Sequence, residues 1–139
     1  MARVINSNTP GKRRSHLMRT VAEIQRRLLQ KSSVGGEVKD MLAMVVFCLR
    51  EVHSTVQETS EAWDERGYWK KAAEYEMEWD WANEMTAEIE TILRREDWNK
   101  LPDIIMGLAT HVSKIKITRL TRDESLWKGC YRKLMEIGE

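Results

Sequence analysis

Glu58, Glu61 and Asp64 lie three positions apart, which would place three carboxylates along one face of a helix. All-helical nucleotide pyrophosphatases hold magnesium with clustered carboxylates of this kind. Magnesium commonly takes only one or two protein carboxylates together with substrate phosphates, so short acidic spacings arise often without a metal. The second acidic pair such enzymes need is not evident in residues 68–95. We therefore expect a solvated acidic face and keep a carboxylate–magnesium phosphohydrolase as the third reading. A ferritin-like di-metal centre needs Glu-x-x-His on two helices. The residues three before His16, His53 and His111 are Arg13, Arg50 and Leu108, so the motif is missing.

The thiols offer little more. Cys48 lies inside the apolar run Met41–Leu49, where a thiol behaves as a small hydrophobe. Cys130 has Lys128, Arg132 and Lys133 nearby, and cations lower a thiol pKa, but no positioned base accompanies it. The chain has no G-x-S-x-G turn, no P-loop and no G-x-G-x-x-G. No catalytic residue, metal or cofactor is assigned from the sequence, and the expectation is a protein that is not an enzyme.

Charge is more informative. Residues 1–40 carry nine Lys/Arg against three Asp/Glu, whereas residues 51–97 carry five against fourteen. Lys12, Arg13, Arg14 and Arg19 crowd the start of the first predicted helix, where cations oppose the macrodipole. An anion offsets that cost, because free helix N–H groups and arginines both favour phosphate. A second basic set comprises Lys114, Lys116, Arg119 and Arg122. These eight residues are the candidate anion site, provided that the two sets meet in space. The bland alternative is that they pair with the acidic middle of the chain. Lys12, Arg13 and Arg14 are expected to be surface, so that their replacement by Gln leaves the fold intact. Recognised nucleic-acid motifs are missing, and the six tryptophans sit mostly among acids, whereas stacking platforms line basic grooves.

The aromatic residues raise a geometric problem. In a continuous helix over 68–95, Trp79 and Trp81 point about 160° apart. Trp81 keeps company with Met85, Ile89 and Ile92 and is expected in the core. Trp79 lies with Tyr68 and Tyr75, between acids, and Tyr75 and Trp79 are the candidate partner contact. The competing expectation is that another helix, the first or last, covers Trp79 within the chain.

Helical elements must position these groups. Thr9-Pro10 suits an N-cap with proline at the first helical position, with Ser15 as the rival cap. Leu17, Val21, Ile24 and Leu28 then recur at helical spacing. Ser32–Gly36 breaks the chain, and a second helix runs from near Glu37 past residue 60, apolar on most faces between Met41 and Leu49 and hence central. The third helix spans about 68–95, and the fourth follows a cap at Asp97, with Pro102 in its first turn. Ser113–Leu120 alternates like a strand but has no strand pattern to pair with, so it reads as an extended connector or a helix tail. Thr121-Arg122-Asp123-Glu124 has capping-box spacing before a last, shorter helix.

The expected fold is all-α: a flexible arm at 1–9, then one mainly antiparallel bundle of four long helices and a shorter C-terminal helix over 10–139. With 42% apolar and 32% charged residues, two prolines and seven glycines, the composition suits such a bundle. The longest apolar run is far short of a membrane span. The N-terminus has no apolar signal region, and two free thiols suit a reducing cytoplasm. The leading functional expectation is a non-enzymatic cytoplasmic interaction or scaffold protein with a protein partner or self-association. The alternative is an RNA- or DNA-binding protein that uses the basic N-terminus and residues 114–122.

Overall fold

In the computed structural model, which describes residues 9–138, the elements are α1 (Pro10–Leu28), α2 (Gly36–Glu65), α3 (Trp69–Glu78), α4 (Asp80–Arg95), α5 (Leu101–Val112), α6 (Glu124–Trp127) and α7 (Cys130–Ile137). A single 3-10 turn, Trp98–Lys100, leads into α5. No strand occurs among the described residues. Of the arm expected at 1–9, all but Thr9 lies outside the described residues. Thr9 caps α1: its hydroxyl accepts the Lys12 N–H at 3.2 Å, and Pro10 follows at the first helical position.

The chain is an all-α, mainly antiparallel bundle. Pairs between elements record the directions. The start of α1 meets the end of α2 through Arg13–Glu58 and Arg14–Thr59, and Lys31 just past α1 meets Glu37 at the start of α2. Ser60 bonds Glu76 and Arg50 bonds Glu90, so α3 and α4 return along α2. Arg94 of α4 donates to the carbonyls of Leu134 and Gly138, fastening the C-terminal end.

The long helix α2 is the centre, packing against α1, α3, α4, α6 and α7. Met41, Leu42, Ala43, Val45, Val46, Cys48 and Leu49 are all buried, as an apolar stretch without a polar face requires. Burial pushes the Cys48 thiol up to about 12, helped by nearby Cys130, so it remains a protonated hydrophobe. Cys130 shifts upward for the same principal reason.

Four elements differ in detail from their predicted forms. The fourth helix, expected after a cap at Asp97, begins as α5 at Leu101 behind the 3-10 turn, and Asp97 makes no side-chain cap hydrogen bond. The helix expected over 68–95 is broken at Trp79, which ends α3 and starts α4 with φ −105° and ψ 6°. The last helix is broken at Gly129, whose φ of 82° is costly for any residue with a Cβ. Its cap is Asp123, which accepts the Ser125 N–H at 2.9 Å, and not Thr121. Thr121 is instead engaged across the molecule by Glu23. Ser113–Leu120 is a turn followed by irregular chain.

Candidate partner-binding groove

The predicted partner residues and part of the predicted anion site meet in one place. The first turns of α1, the α3–α4 junction and the end of α5 enclose an open groove of about 630 Å³, whose lining includes Arg14, Ser15, Met18, Tyr75, Trp79 and His111. The break at Trp79 shapes its aromatic wall. With the helix interrupted there, the Trp79 and Trp81 rings lie on one side, centroids 5.7 Å apart, although a regular helix would separate them. Tyr75 lies 6.4 Å from Trp79 on one flank, and Trp63 meets Tyr75 edge-on at 5.0 Å. On the other flank Trp81 stacks on His111, 3.8 Å between centroids with planes 3° apart. Trp81 is thus half-buried, packed against the core and not inside it. Its partner is a residue of α5, 30 positions away in the chain. Burial holds His111 below the usual imidazole range, which favours the neutral ring.

Arg14 is the charged member of the wall, and it corrects the expectation of a surface residue. It is only 7% exposed. Its guanidinium lies over Tyr75 at 5.2 Å and Trp79 at 5.8 Å, and Nη2 donates to the Thr59 hydroxyl at 2.9 Å. Its Nε is buried without a hydrogen-bond partner, so the ring faces are its main compensation. The first helix therefore does cover one face of Trp79, and the uncovered part of the half-buried indole opens on the groove. Arg14→Gln is expected to cost about 1–2 kcal/mol through loss of the cation–ring contact, measured by chemical denaturation. Lys12→Gln, at an exposed position, is expected to leave the midpoint unchanged. Equal midpoints for the two variants would show that the ring contacts of Arg14 contribute nothing.

The two basic sets are brought together, but most of their arginines already have acceptors within the chain. Arg13 pairs with Glu58, which supplies in cis an anion near the start of α1 and is itself lowered by that hydrogen bond. Arg19 donates to the carbonyls of Lys116 and Arg119 at 3.5 and 3.3 Å, and Arg26 and Arg27 reach those of Ile115 and Arg122 at 2.8 and 2.6 Å. Three arginines of α1 thus grip residues 115–122. The alternation in that segment reflects half-buried Ile115 and Ile117 packed against the core between exposed Lys114, Lys116 and Thr118, not a sheet.

Glu23, which no sequence signal placed in the site, organises this clamp. It is fully buried and accepts the N–H groups of Thr121 and Arg122, both at 2.8 Å, and the Thr121 hydroxyl at 2.9 Å. Arg122 Nη1 and Arg19 Nε each reach it at 3.2 Å. Burial alone would raise its pKa, but the Arg122 N–H, the two Thr121 donors and the Arg122 charge outweigh it and hold the carboxyl at about 2. Arg122 also donates to Thr20 and to Nδ1 of His16 at 3.1 Å each, and since a guanidinium only donates, His16 accepts there. Lys12, Lys114, Lys116 and Arg119 are exposed, with no side-chain ion pair or hydrogen bond among the described residues. The acids Glu61 and Asp64 are exposed on α2, and no group of three or more potential metal ligands occurs among the described residues.

Fold and site together define a small helical bundle with an aromatic, arginine-backed groove at one end. No family model, curated protein or solved structure matches the chain.

Proposed function

We propose that this protein is a non-enzymatic helical interaction module and that the groove between Arg14, Tyr75 and Trp79 receives a segment of a partner protein. The observation that supports this most is the convergence of a nearly buried, incompletely satisfied arginine with two half-open aromatic rings in one groove. Tyr, Trp and Arg are the side chains that dominate interface hot spots, and they do so in concave, desolvated settings. A cytoplasmic setting agrees with two buried, free cysteines. No described helix is long and apolar enough to cross a membrane.

The groove is tested by comparing the proteins retained by the wild-type chain with those retained by Trp79→Ala. A partner bound through the groove is expected to lose about 2 kcal/mol of affinity or more, close to thirtyfold, while the variant keeps its helical signal. Retention of the same proteins at the same affinity would remove the groove from the interface.

A second reading, a polyanion-binding surface, rests on one observation. Arg19 binds the backbone at Lys116 and Arg119, so the basic start of α1 and the 114–122 segment form one side of the molecule. Lys12, Lys114, Lys116 and Arg119, the members of the two basic sets without a side-chain partner among the described residues, would then contact phosphates. Affinity for duplex DNA or RNA should fall steeply with salt, and each Lys→Gln change should shrink the slope by about one.

A further inference from the structure

The groove has a cation in its wall and, among the described residues that line it, no acid to balance it. That cation is the Arg14 guanidinium, since burial favours the neutral ring of His111. A guanidinium carries five N–H donors. Among the described residues Arg14 uses one atom, Nη2, which donates to the Thr59 hydroxyl at 2.9 Å. Neither Nε nor Nη1 has an acceptor there. Glu58, whose charge Arg14 also feels, is bonded to Arg13 instead. The ring faces of Tyr75 and Trp79 lie against the charge but offer no lone pair to those donors. The start of α1 adds the same polarity. Gly11 lines the groove too, and its N–H has no partner among the described residues. A Cβ at Gly11 would meet nothing within 4 Å, so the backbone there is open to a ligand. Free N–H groups in the first turn of a helix favour an anion.

We propose that the partner segment brings a carboxylate into the groove: an acidic side chain sits against Arg14 and the first turn of α1, while an aromatic side chain beside it lies on Tyr75 and Trp79. This rests on the groove being the receptor and adds the chemistry of its occupant. The two halves of the wall make the same demand. Donors left without acceptors in a nearly buried arginine call for an anion, and half-open aromatic rings call for an apolar or aromatic neighbour. The charge to be met is a single one. A phosphorylated side chain carries close to two negative charges and is held by clusters of arginines. No second guanidinium completes such a cluster here, because Arg13 is bonded to Glu58 and Arg19 to Glu23 and the carbonyls of Lys116 and Arg119. One arginine beside a neutral imidazole matches a carboxylate.

Two blocked dipeptides, acetyl-Phe-Asp amide and acetyl-Phe-Asn amide, test this on the full chain, since they have nearly the same shape and differ in charge. Titrations followed by proton–nitrogen NMR read the affinities, and the guanidinium N–H of Arg14 and the indole N–H of Trp79 report the place. Wild type should prefer the acid about tenfold, the worth of one hydrogen bond between charged groups in a partly open site. Arg14→Gln should bind the two peptides alike. The comparison is made within each variant, so any loss of stability in Arg14→Gln cancels. Trp79→Ala should lose both peptides. Equal affinity of wild type for the two, with both lost in Trp79→Ala, overturns the carboxylate and leaves the groove as the receptor. A preference for the acid that survives in Arg14→Gln overturns it as well, because the anion then sits elsewhere. Acetyl-phosphotyrosine amide bound more than tenfold tighter than the acid makes phosphate the occupant and overturns the carboxylate. Binding of neither dipeptide at millimolar concentration overturns both the carboxylate and the groove.

Discussion

Glu23→Ala is expected to lower the unfolding free energy by about 3–5 kcal/mol, the usual cost of removing one member of a buried charged pair. The carboxylate is fully buried and accepts two backbone N–H groups, a hydroxyl and two arginine N–H groups. Alanine would leave those donors facing a cavity. Residues 115–122 would keep the three arginines of α1 that grip carbonyls and the bonds of Arg122 to Thr20 and His16. The expected signature is a loss of amide protection centred on Thr121 and Arg122, with α2 protected as before.

Acid should report the same carboxylate. Its folded pKa, about 2, lies below the ordinary carboxylate value of 4.5, so its stabilisation is complete above that ordinary value. The stabilisation is lost as pH falls from about 4.5 toward 2. The gap in stability between wild type and Glu23→Gln should therefore be constant at neutral pH and close across that acidic window. Denaturant midpoints measured at several pH values check this. A gap that stays constant down to the acid end would mean that the charge on Glu23 is not what holds the segment.

Val45→Asp is expected to cost roughly 4 kcal/mol or more and to unfold much of the population. Val45 is fully buried in the middle of α2, the helix against which α1, α3, α4, α6 and α7 pack. An aspartate there meets apolar neighbours such as Met41, Leu42 and Leu49 and has no water to solvate it. The stability of a domain this size is itself about 5–15 kcal/mol, so one buried charge consumes a large share. Thermal unfolding followed by far-UV circular dichroism is the measurement. A melting temperature equal to wild type would take Val45 out of the core and α2 out of the centre.

The sequence by itself determined the helices and their ranks. Caps, breakers and apolar stripes act over a few residues, so Thr9-Pro10 marked the start of α1, Gly35-Gly36 the start of α2, and Met41–Leu49 the central helix. It also marked Tyr75, Trp79 and Arg14 as side chains of consequence, though for two separate sites. Only the tertiary structure decided that they line one groove. The break at Trp79 has no glycine or proline to announce it. It is held by contacts of Trp79, Trp81 and Tyr75 with Arg14 and His111, residues distant in the chain. Glu23 is the clearest case. Its signal, an acid beside the buried Ala22 and Ile24, looks local, but its partners Thr121 and Arg122 lie almost 100 positions away. Periodicity records which face of a helix is apolar. It does not record which distant backbone arrives to satisfy a buried charge, because that depends on the packing of the whole bundle.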